Sequence, residues 1–183
     1  MTVRPGRPAA SGRHLVLIGL MGSGKTTIGR QTAQRLSRPF HDTDERIVIG
    51  AGRSVADIFA TDGEQAFRDL ETAALHEALL CHSQSVISTG GGLVMRDVNR
   101  AMLREHATVV WLRATPATLA ARVSGRTDRP LLNGVDPLER LTKLLDERAG
   151  MYLDAADHIV DVDTLTRSQV AETVLLIAKP VLA

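Results

Sequence analysis

Residues 14–27 read HLVLIGLMGSGKTT, and this stretch decides the fold. Leu15–Ile18 form a short apolar run that is typical of a buried strand. Gly19–Thr26 match the pattern G-x-x-x-x-G-K-[ST], in which a glycine-rich loop joins a strand to a helix. The backbone N–H groups of such a loop point at phosphate oxygens, and the dipole of the following helix adds to the same potential. The stretch therefore predicts a phosphate-binding loop.

Two side chains of this loop have roles that follow from the motif. Lys25 is expected to reach the β- and γ-phosphates of a nucleotide, and the Thr26 hydroxyl is expected to bind Mg²⁺. The residues expected to hold the nucleotide phosphates are Gly22, Ser23, Gly24, Lys25, Thr26 and Thr27. The chain has no Asn-Lys-x-Asp stretch for reading guanine and no room for a motor's extra domains, so a small ATP-dependent kinase is the favoured class.

Strand-like and helix-like segments alternate along the rest of the chain. Apolar runs recur around Phe40 and at residues 86–87, 109–112 and 159–160. Helical spacing is found at residues 25–36, 63–80, 96–104, 116–123, 136–150 and 167–178. This alternation predicts one α/β domain, a three-layer P-loop sandwich with a five-stranded parallel sheet.

The composition of the chain indicates which classes of binding partner and which cellular compartment to expect. The 183 residues carry a net charge of +1, which favours neither nucleic acid nor an anionic membrane as a partner. No stretch approaches the roughly 18 apolar residues of a membrane span. The one cysteine, Cys81, allows no internal disulfide and fits a reducing compartment. We expect a cytoplasmic monomer with its domain at residues 14–183 and a disordered tail at residues 1–13.

Two aspartates follow the second predicted strand. The segment FHDTDERI, residues 40–47, places Asp42 and Asp44 at the carboxyl edge of the sheet, where open α/β sheets bind ligands. Asp42 could order Mg²⁺ through its waters, because this ion takes few protein carboxylates. Asp44 could accept the proton of an attacking hydroxyl group or orient that group. Alternatively, Asp44 is the N-cap of a helix that begins at Glu45.

Two later segments carry candidate ligand-binding residues. Gly63 separates two helical segments, and Arg68 lies on the second, where a lone arginine is ordinarily a solvated surface charge. Residues 86–92, VISTGGG, end a strand with three glycines, which suits close approach of a ligand to backbone N–H groups. An acidic or hydroxylated metabolite would fit there.

An arginine-rich loop lies between two predicted helices. Residues 122–132 read RVSGRTDRPLL, with Gly125 and Pro130 as helix breakers. Lids of this kind close over a nucleotide, exclude water and add positive charge near the transferred phosphoryl group. The pattern predicts a mobile lid at residues 122–134, and a solvated basic loop is the alternative.

Together these motifs resemble the shikimate kinase family. The resemblance rests on the phosphate loop, DTD at 42–44, DIFATDGEQAFRDLE at 57–71, GGG at 90–92, RPLL at 129–132 and ERAGMY at 147–152. It covers the chain from about residue 14 to residue 179. It implies transfer of the ATP γ-phosphoryl group to the 3-hydroxyl of shikimate with Mg²⁺, in the pathway to chorismate and the aromatic amino acids.

The resemblance also implies roles for individual residues. Asp44 contacts the shikimate hydroxyls, Arg68 and Arg148 bind its carboxylate, and the backbone platform beside it consists of Gly90, Gly91 and Gly92. On the nucleotide side, lid residue Arg129 reaches the phosphates, whereas Arg122 and Arg167 lie near adenine. Lys25, Asp44 and Arg129 are then the catalytic residues. Ser168 and Gln169 depart from the Asn-Pro of some family members, and Arg126 has no assigned role.

The motifs are compatible with two alternative functions. A kinase for another polyol acid, such as gluconate, shares the fold and the phosphate loop, but the set of Asp44, Arg68 and Arg148 disfavours it. A non-catalytic sensor that binds a shikimate-like ligand would have no need of Lys25 or Asp44. We interpret Trp111 and Tyr152 as core or lid-packing residues.

Overall fold

The structure is a computed structural model that describes residues 2–3, 13–124 and 135–179. Its strands are β1 (Thr2–Val3), β2 (His14–Ile18), β3 (Phe40–Asp42), β4 (Val86–Ser88), β5 (Ala107–Arg113) and β6 (His158–Asp161). Its helices are α1 (Lys25–Leu36), α2 (Thr43–Ala51), α3 (Val55–Thr61), α4 (Gly63–Leu79), α5 (Asp97–His106), α6 (Pro116–Val123), α7 (Pro137–Ala155) and α8 (Arg167–Ala178), with a 3₁₀ turn at Leu93–Met95. None of the helices in these ranges has the length and apolar character needed to cross a bilayer.

The strands form one sheet in the order β1-β6-β5-β2-β4-β3. The five strands from β2 to β6 pair in parallel, which confirms the predicted five-stranded parallel sheet. Helices flank this sheet, with α1 against α8 and α5 against α4 and α7. All five residues of β2 are buried. The strand that leads into the phosphate loop is therefore at the centre of the core.

Strand β1 is an element that the sequence pattern did not indicate. It pairs antiparallel with β6, with Thr2 opposite Ile159 and Val3 opposite His158. Thr2 and Val3 belong to the segment for which we expected a disordered tail, and residues 1 and 4–12 of that segment lie outside the described part of the chain. A strand of two residues is too short to leave a period-two pattern in the sequence.

Helices α2 and α3 depend on capping more than on hydrophobic periodicity. The Asp42 side chain caps α2, because it accepts hydrogen bonds from the N–H groups of Asp44 (3.1 Å) and Glu45 (3.4 Å). The alternative interpretation of Asp44 as the N-cap is therefore wrong. Ser54 caps α3 in a reciprocal capping box. The predicted break between two helical segments is found at Gly63, which has φ +83° and is the first residue of α4.

The parallel register brings three loops together at one edge of the sheet. Asp42, the last residue of β3, lies opposite Ser88, the last residue of β4. Leu17, near the end of β2, also lies opposite Ser88. The loops that leave these strands therefore start side by side, at the edge where α/β sheets bind ligands.

Two glycines in the described chain should respond oppositely to the same substitution. Gly19 has φ +140°, and a Cβ there would lie 2.6 Å from the Leu112 carbonyl oxygen, whereas a Cβ at Gly50, within α2, meets no atom within 4 Å. We expect Gly19→Ala to lower the free energy of unfolding by more than about 1 kcal/mol, and Gly50→Ala to raise it by about 0.5–1 kcal/mol. Urea unfolding of both variants measures these values. An unchanged free energy of unfolding for Gly19→Ala would contradict the close approach of this loop to β5.

Candidate active site

One cleft of about 1180 Å³ lies where the carboxyl ends of β2, β3 and β4 meet. The predicted site residues that line it are Gly22, Ser23, Gly24, Lys25, Thr26, Thr27, Asp42, Asp44, Arg68, Gly90, Gly91, Gly92, Arg122, Arg148 and Arg167. Arg126 and Arg129 of the predicted lid lie outside the described residues, as do all of residues 125–134. The cleft therefore brings the phosphate loop together with the residues assigned to the acceptor.

The phosphate loop is shaped by glycines in the left-handed conformation. Gly22 has φ +82° and Gly24 has φ +96°, a region that other residues rarely adopt. The N-cap of α1 is Gly24, which has no side chain with which to cap the helix. The first N–H groups of the helix are therefore available to an anion. Lys25 is buried, and its Nζ donates to the Leu20 carbonyl across the loop (3.0 Å).

Thr26 and Asp42 form an oxygen-rich pair that fits Mg²⁺. The Thr26 hydroxyl donates to Asp42 Oδ2 (2.8 Å) and lies 3.4 Å from the Ser88 hydroxyl. Asp42 is buried, and its other oxygen is fixed as the cap of α2. Residues 13–124 and 135–179 hold no cluster of three or more His, Cys, Asp or Glu side chains that could bind a metal. One carboxylate and one hydroxyl suit an ion that keeps several waters and takes phosphate oxygens.

The three consecutive glycines make room for the side chains around them. A Cβ at Gly90 would overlap Glu71 Oε1 and would lie 2.7 Å from Asp44 Oδ1. A Cβ at Gly92 would overlap the guanidinium group of Arg68. Charged side chains therefore lie directly against this backbone, which explains why side-chain-free residues occur here.

Gly91 is the point where the glycine platform meets the phosphate loop. A Cβ there would lie 3.4 Å from the carbonyl oxygen of Gly19 and 3.6 Å from Leu20 Cα. The Gly91 carbonyl accepts hydrogen bonds from the Tyr152 hydroxyl (2.5 Å) and from Arg148 Nη1 (3.3 Å). The backbone of Gly91 is thus held on both sides.

Tyr152 takes part in the site as well as in the core. The side chain is fully buried, and its ring stacks on Trp111 with centroids 5.3 Å apart. Burial raises the pKa of the Tyr152 hydroxyl far above its usual range, so this group stays a neutral donor to Gly91. Its prediction as a packing residue is confirmed, but no sequence pattern indicates the hydrogen bond to Gly91.

Arg68 is buried between two glutamates of its own helix. Its Nη2 and Nε donate to Glu64 Oε1 (2.7 and 3.3 Å), and its Nη1 donates to Glu71. Its guanidinium group also lies over the Phe67 ring, 5.6 Å from the centroid. Burial lowers the pKa of Arg68, but the two carboxylates outweigh burial and raise it above its ordinary value. The interpretation of Arg68 as a solvated surface charge is therefore wrong.

Glu71 is a buried carboxyl group that sequence reasoning missed. It is 1% exposed, and burial raises its pKa to about 7. The negative charge of Asp44 acts in the same direction, whereas Arg68 and Arg148 oppose it. The available signal was the helical spacing, since Glu64 and Glu71 lie four residues before and three residues after Arg68.

Arg148 reaches the same cleft from α7 and is 3% exposed. Its Nη1 bonds to the Gly91 carbonyl, whereas its Nε has no hydrogen-bond partner among the described residues. A buried guanidinium donor without a partner is costly, and a bound anion would satisfy it. Arg68 and Arg148 are thus two buried cations in one cleft, with donors suited to a carboxylate.

The other end of the cleft is bordered by Arg122 and Arg167. Arg122 donates to the carbonyls of Gly22 (3.4 Å) and Val162 (3.1 Å), which ties α6 to the phosphate loop. Arg167 is the first residue of α8 and is exposed. Gln169 forms a capping box with Thr166 at the start of that helix, so this departure from Asn-Pro has a structural role.

Comparison with known proteins gives one family. The family model described as shikimate kinase matches residues 21–179. A shikimate kinase of Symbiobacterium thermophilum is 51% identical over 145 residues, covering 78% of this chain and 83% of that protein. One from Neisseria gonorrhoeae is 48% identical over 147 residues, covering 80% and 86%. The solved shikimate kinase of Acinetobacter baumannii, in complex with shikimate, superposes with a TM-score of 0.89 at 32% identity, covering 94% of this chain and 97% of that one.

The raised pKa of Glu71 gives a testable pH dependence. Its pKa rises from an ordinary value of 4.5 to about 7 in the folded chain, so the folded state binds the proton more tightly than the unfolded state. The resulting stabilisation is complete below pH 4.5 and is lost as the pH rises through 7. Between these values the free energy of unfolding should fall, relative to that of Glu71→Gln, by at most about 1.4 kcal/mol per pH unit.

Urea unfolding from pH 4.5 to 8 measures this difference. Glu77→Gln is the control, because Glu77 lies on the same helix but is 64% exposed. Parallel pH profiles for the wild-type protein and Glu71→Gln would contradict the raised pKa.

Proposed function

The chain belongs to the shikimate kinase family, and on this premise we propose that it transfers the γ-phosphoryl group of ATP to the 3-hydroxyl of shikimate. The products are ADP and shikimate 3-phosphate, on the route to chorismate and the aromatic amino acids. One observation carries the proposal: a phosphate loop and two buried arginines, Arg68 and Arg148, line the same cleft as Asp44.

The phosphate loop is the proposed nucleotide site. Its backbone N–H groups and Lys25 bind the β- and γ-phosphates, and Arg129 reaches them from the lid. Arg122 and Arg167 lie on the adenine side. Thr26 and Asp42 are the proposed Mg²⁺ residues, the latter through water, and the bound ion would neutralise phosphate charge.

The glycine platform and the two arginines form the proposed acceptor site. Arg68 and Arg148 bind the shikimate carboxylate through charge-assisted hydrogen bonds, which fix orientation as well as affinity. The backbone of Gly90, Gly91 and Gly92 lies beside the ring. Because Gly91 touches the phosphate loop, an acceptor on this platform lies next to the nucleotide phosphates.

Asp44 is the proposed catalytic carboxylate. It packs against Gly90 on the platform, where it can contact an acceptor hydroxyl. As the acceptor oxygen bonds to the γ-phosphorus, the bond from that phosphorus to the bridging oxygen of ADP breaks, and the hydroxyl proton passes to Asp44. Lys25 and Arg129 stabilise the charge that gathers on the transferred group.

The two alternatives are weaker for reasons of site chemistry. A gluconate kinase also binds a carboxylate, but the three relatives described above are shikimate kinases. A sensor module would not need Lys25 and Asp44 in one cleft. We also propose a monomer in the cytoplasm, a compartment compatible with the free thiol of Cys81.

The reaction itself can be tested by ADP release. We expect Mg-ATP to yield ADP in a coupled assay when shikimate is present, and little when gluconate or no acceptor is added. Turnover with gluconate in place of shikimate would contradict the proposed substrate. Binding of both ATP and shikimate without turnover would support the sensor module instead.

The role of Asp44 can be separated from nucleotide binding. Asp44→Asn keeps the side-chain shape but cannot accept the proton, so we expect the turnover number to fall by about 10²- to 10⁴-fold while ATP affinity stays nearly unchanged. The coupled assay and calorimetry with ATP measure the two effects. Asp69→Asn, at a side chain 66% exposed, is the control. A turnover number close to that of the wild type would remove Asp44 from the mechanism.

A further inference from the structure

The guanidinium group of Arg68 is already bound by a carboxylate in the described structure. Glu64 Oε1 accepts from both Nη2 (2.7 Å) and Nε (3.3 Å) of Arg68. These two nitrogens form one of the edges with which arginine binds carboxylates bidentately. Glu64 therefore occupies donors that an incoming carboxylate would use.

The acidic groups around Arg68 oppose the approach of another anion to its guanidinium group. The Arg68 guanidinium group interacts with the carboxyl groups of Glu64 and Glu71, and Glu71 in turn interacts with Asp44 and with the second guanidinium group, that of Arg148. A substrate carboxylate would add a fourth acidic group beside the same two cations. Like charges that lie close together in a partly buried site repel each other, and this repulsion opposes binding of the substrate carboxylate. Binding is therefore favoured if one of the three carboxylates withdraws.

Glu64 is the carboxylate that can withdraw. Its side chain is 54% exposed, whereas the Glu71 side chain is 1% exposed. In this i, i+4 pair Arg68 is buried but Glu64 is half exposed, so water screens the attraction of Glu64 for Arg68. Rotation of Glu64 into water would leave Arg68 paired with Glu71.

We propose that Glu64 is an internal competitor of the substrate carboxylate: it occupies the Nη2–Nε edge of Arg68 in the free protein and is exchanged for the acceptor's carboxylate on binding. The exchange keeps a buried guanidinium group paired in both states. It also sets acceptor specificity, because a ligand without a carboxylate cannot displace Glu64. The inference rests on the proposed function, since it takes the acceptor to be a carboxylic acid bound at Arg68.

If Glu64 competes with the substrate, removing its charge should increase the affinity for shikimate. Glu64→Gln removes the competing charge and keeps the side-chain shape, so shikimate should bind about two- to fivefold more tightly than to the wild-type protein. Calorimetry without nucleotide measures this. The methyl ester of shikimate, which lacks the carboxylate, should bind both proteins equally. Glu45→Gln is the matched control, because Glu45 lines the same cleft but pairs with Arg30.

Unchanged or weaker shikimate binding by Glu64→Gln would overturn the proposal, because Glu64 would then only position Arg68. An equal gain in Glu45→Gln, or an equal gain for the methyl ester, would also overturn it in favour of a general charge effect. Wild-type protein that binds no shikimate at all would instead contradict the proposed function.

Discussion

The contact between Gly91 and the phosphate loop is the constraint on which the site depends. A Cβ at this position would lie in van der Waals contact with the backbone of Gly19 and Leu20, so the glycine platform and the phosphate loop lie side by side. Tyr152 and Arg148 donate hydrogen bonds to the Gly91 carbonyl, which stabilise this position of the backbone. The separation between the phosphate loop and the glycine platform is thus set by backbone packing.

Around this contact, the chain retains charges that a purely stable protein would avoid. Arg68, Glu71 and Arg148 are all less than 10% exposed, and burying charged groups is costly even when they are paired. Glu71 responds by holding its proton up to a pH of about 7. The platform glycines add a second cost, because they forgo side chains that would pack. Such departures from stability are expected where a chain binds a charged ligand.

Much of the fold could be predicted, because buried parallel strands leave continuous apolar runs and the phosphate loop has a motif of its own. Helices α2 and α3 gave weaker signals, since caps at Asp42 and Ser54 define them. The site was harder to predict. Arg148 lies 57 residues from Gly91, so only the folded chain shows that the two meet. Without the family resemblance, the sequence does not distinguish Arg148 from a surface charge. The pKa of Glu71 depends on burial, which no local pattern encodes.

The stack of Trp111 on Tyr152 has a consequence for spectroscopy. These are the chain's single tryptophan and single tyrosine, so all of its intrinsic near-ultraviolet fluorescence from indole and phenol comes from one place. That place lies directly beneath the Gly91 carbonyl, which the Tyr152 hydroxyl binds. The emission of this protein is therefore a local optical probe of the platform, free of background from other indoles.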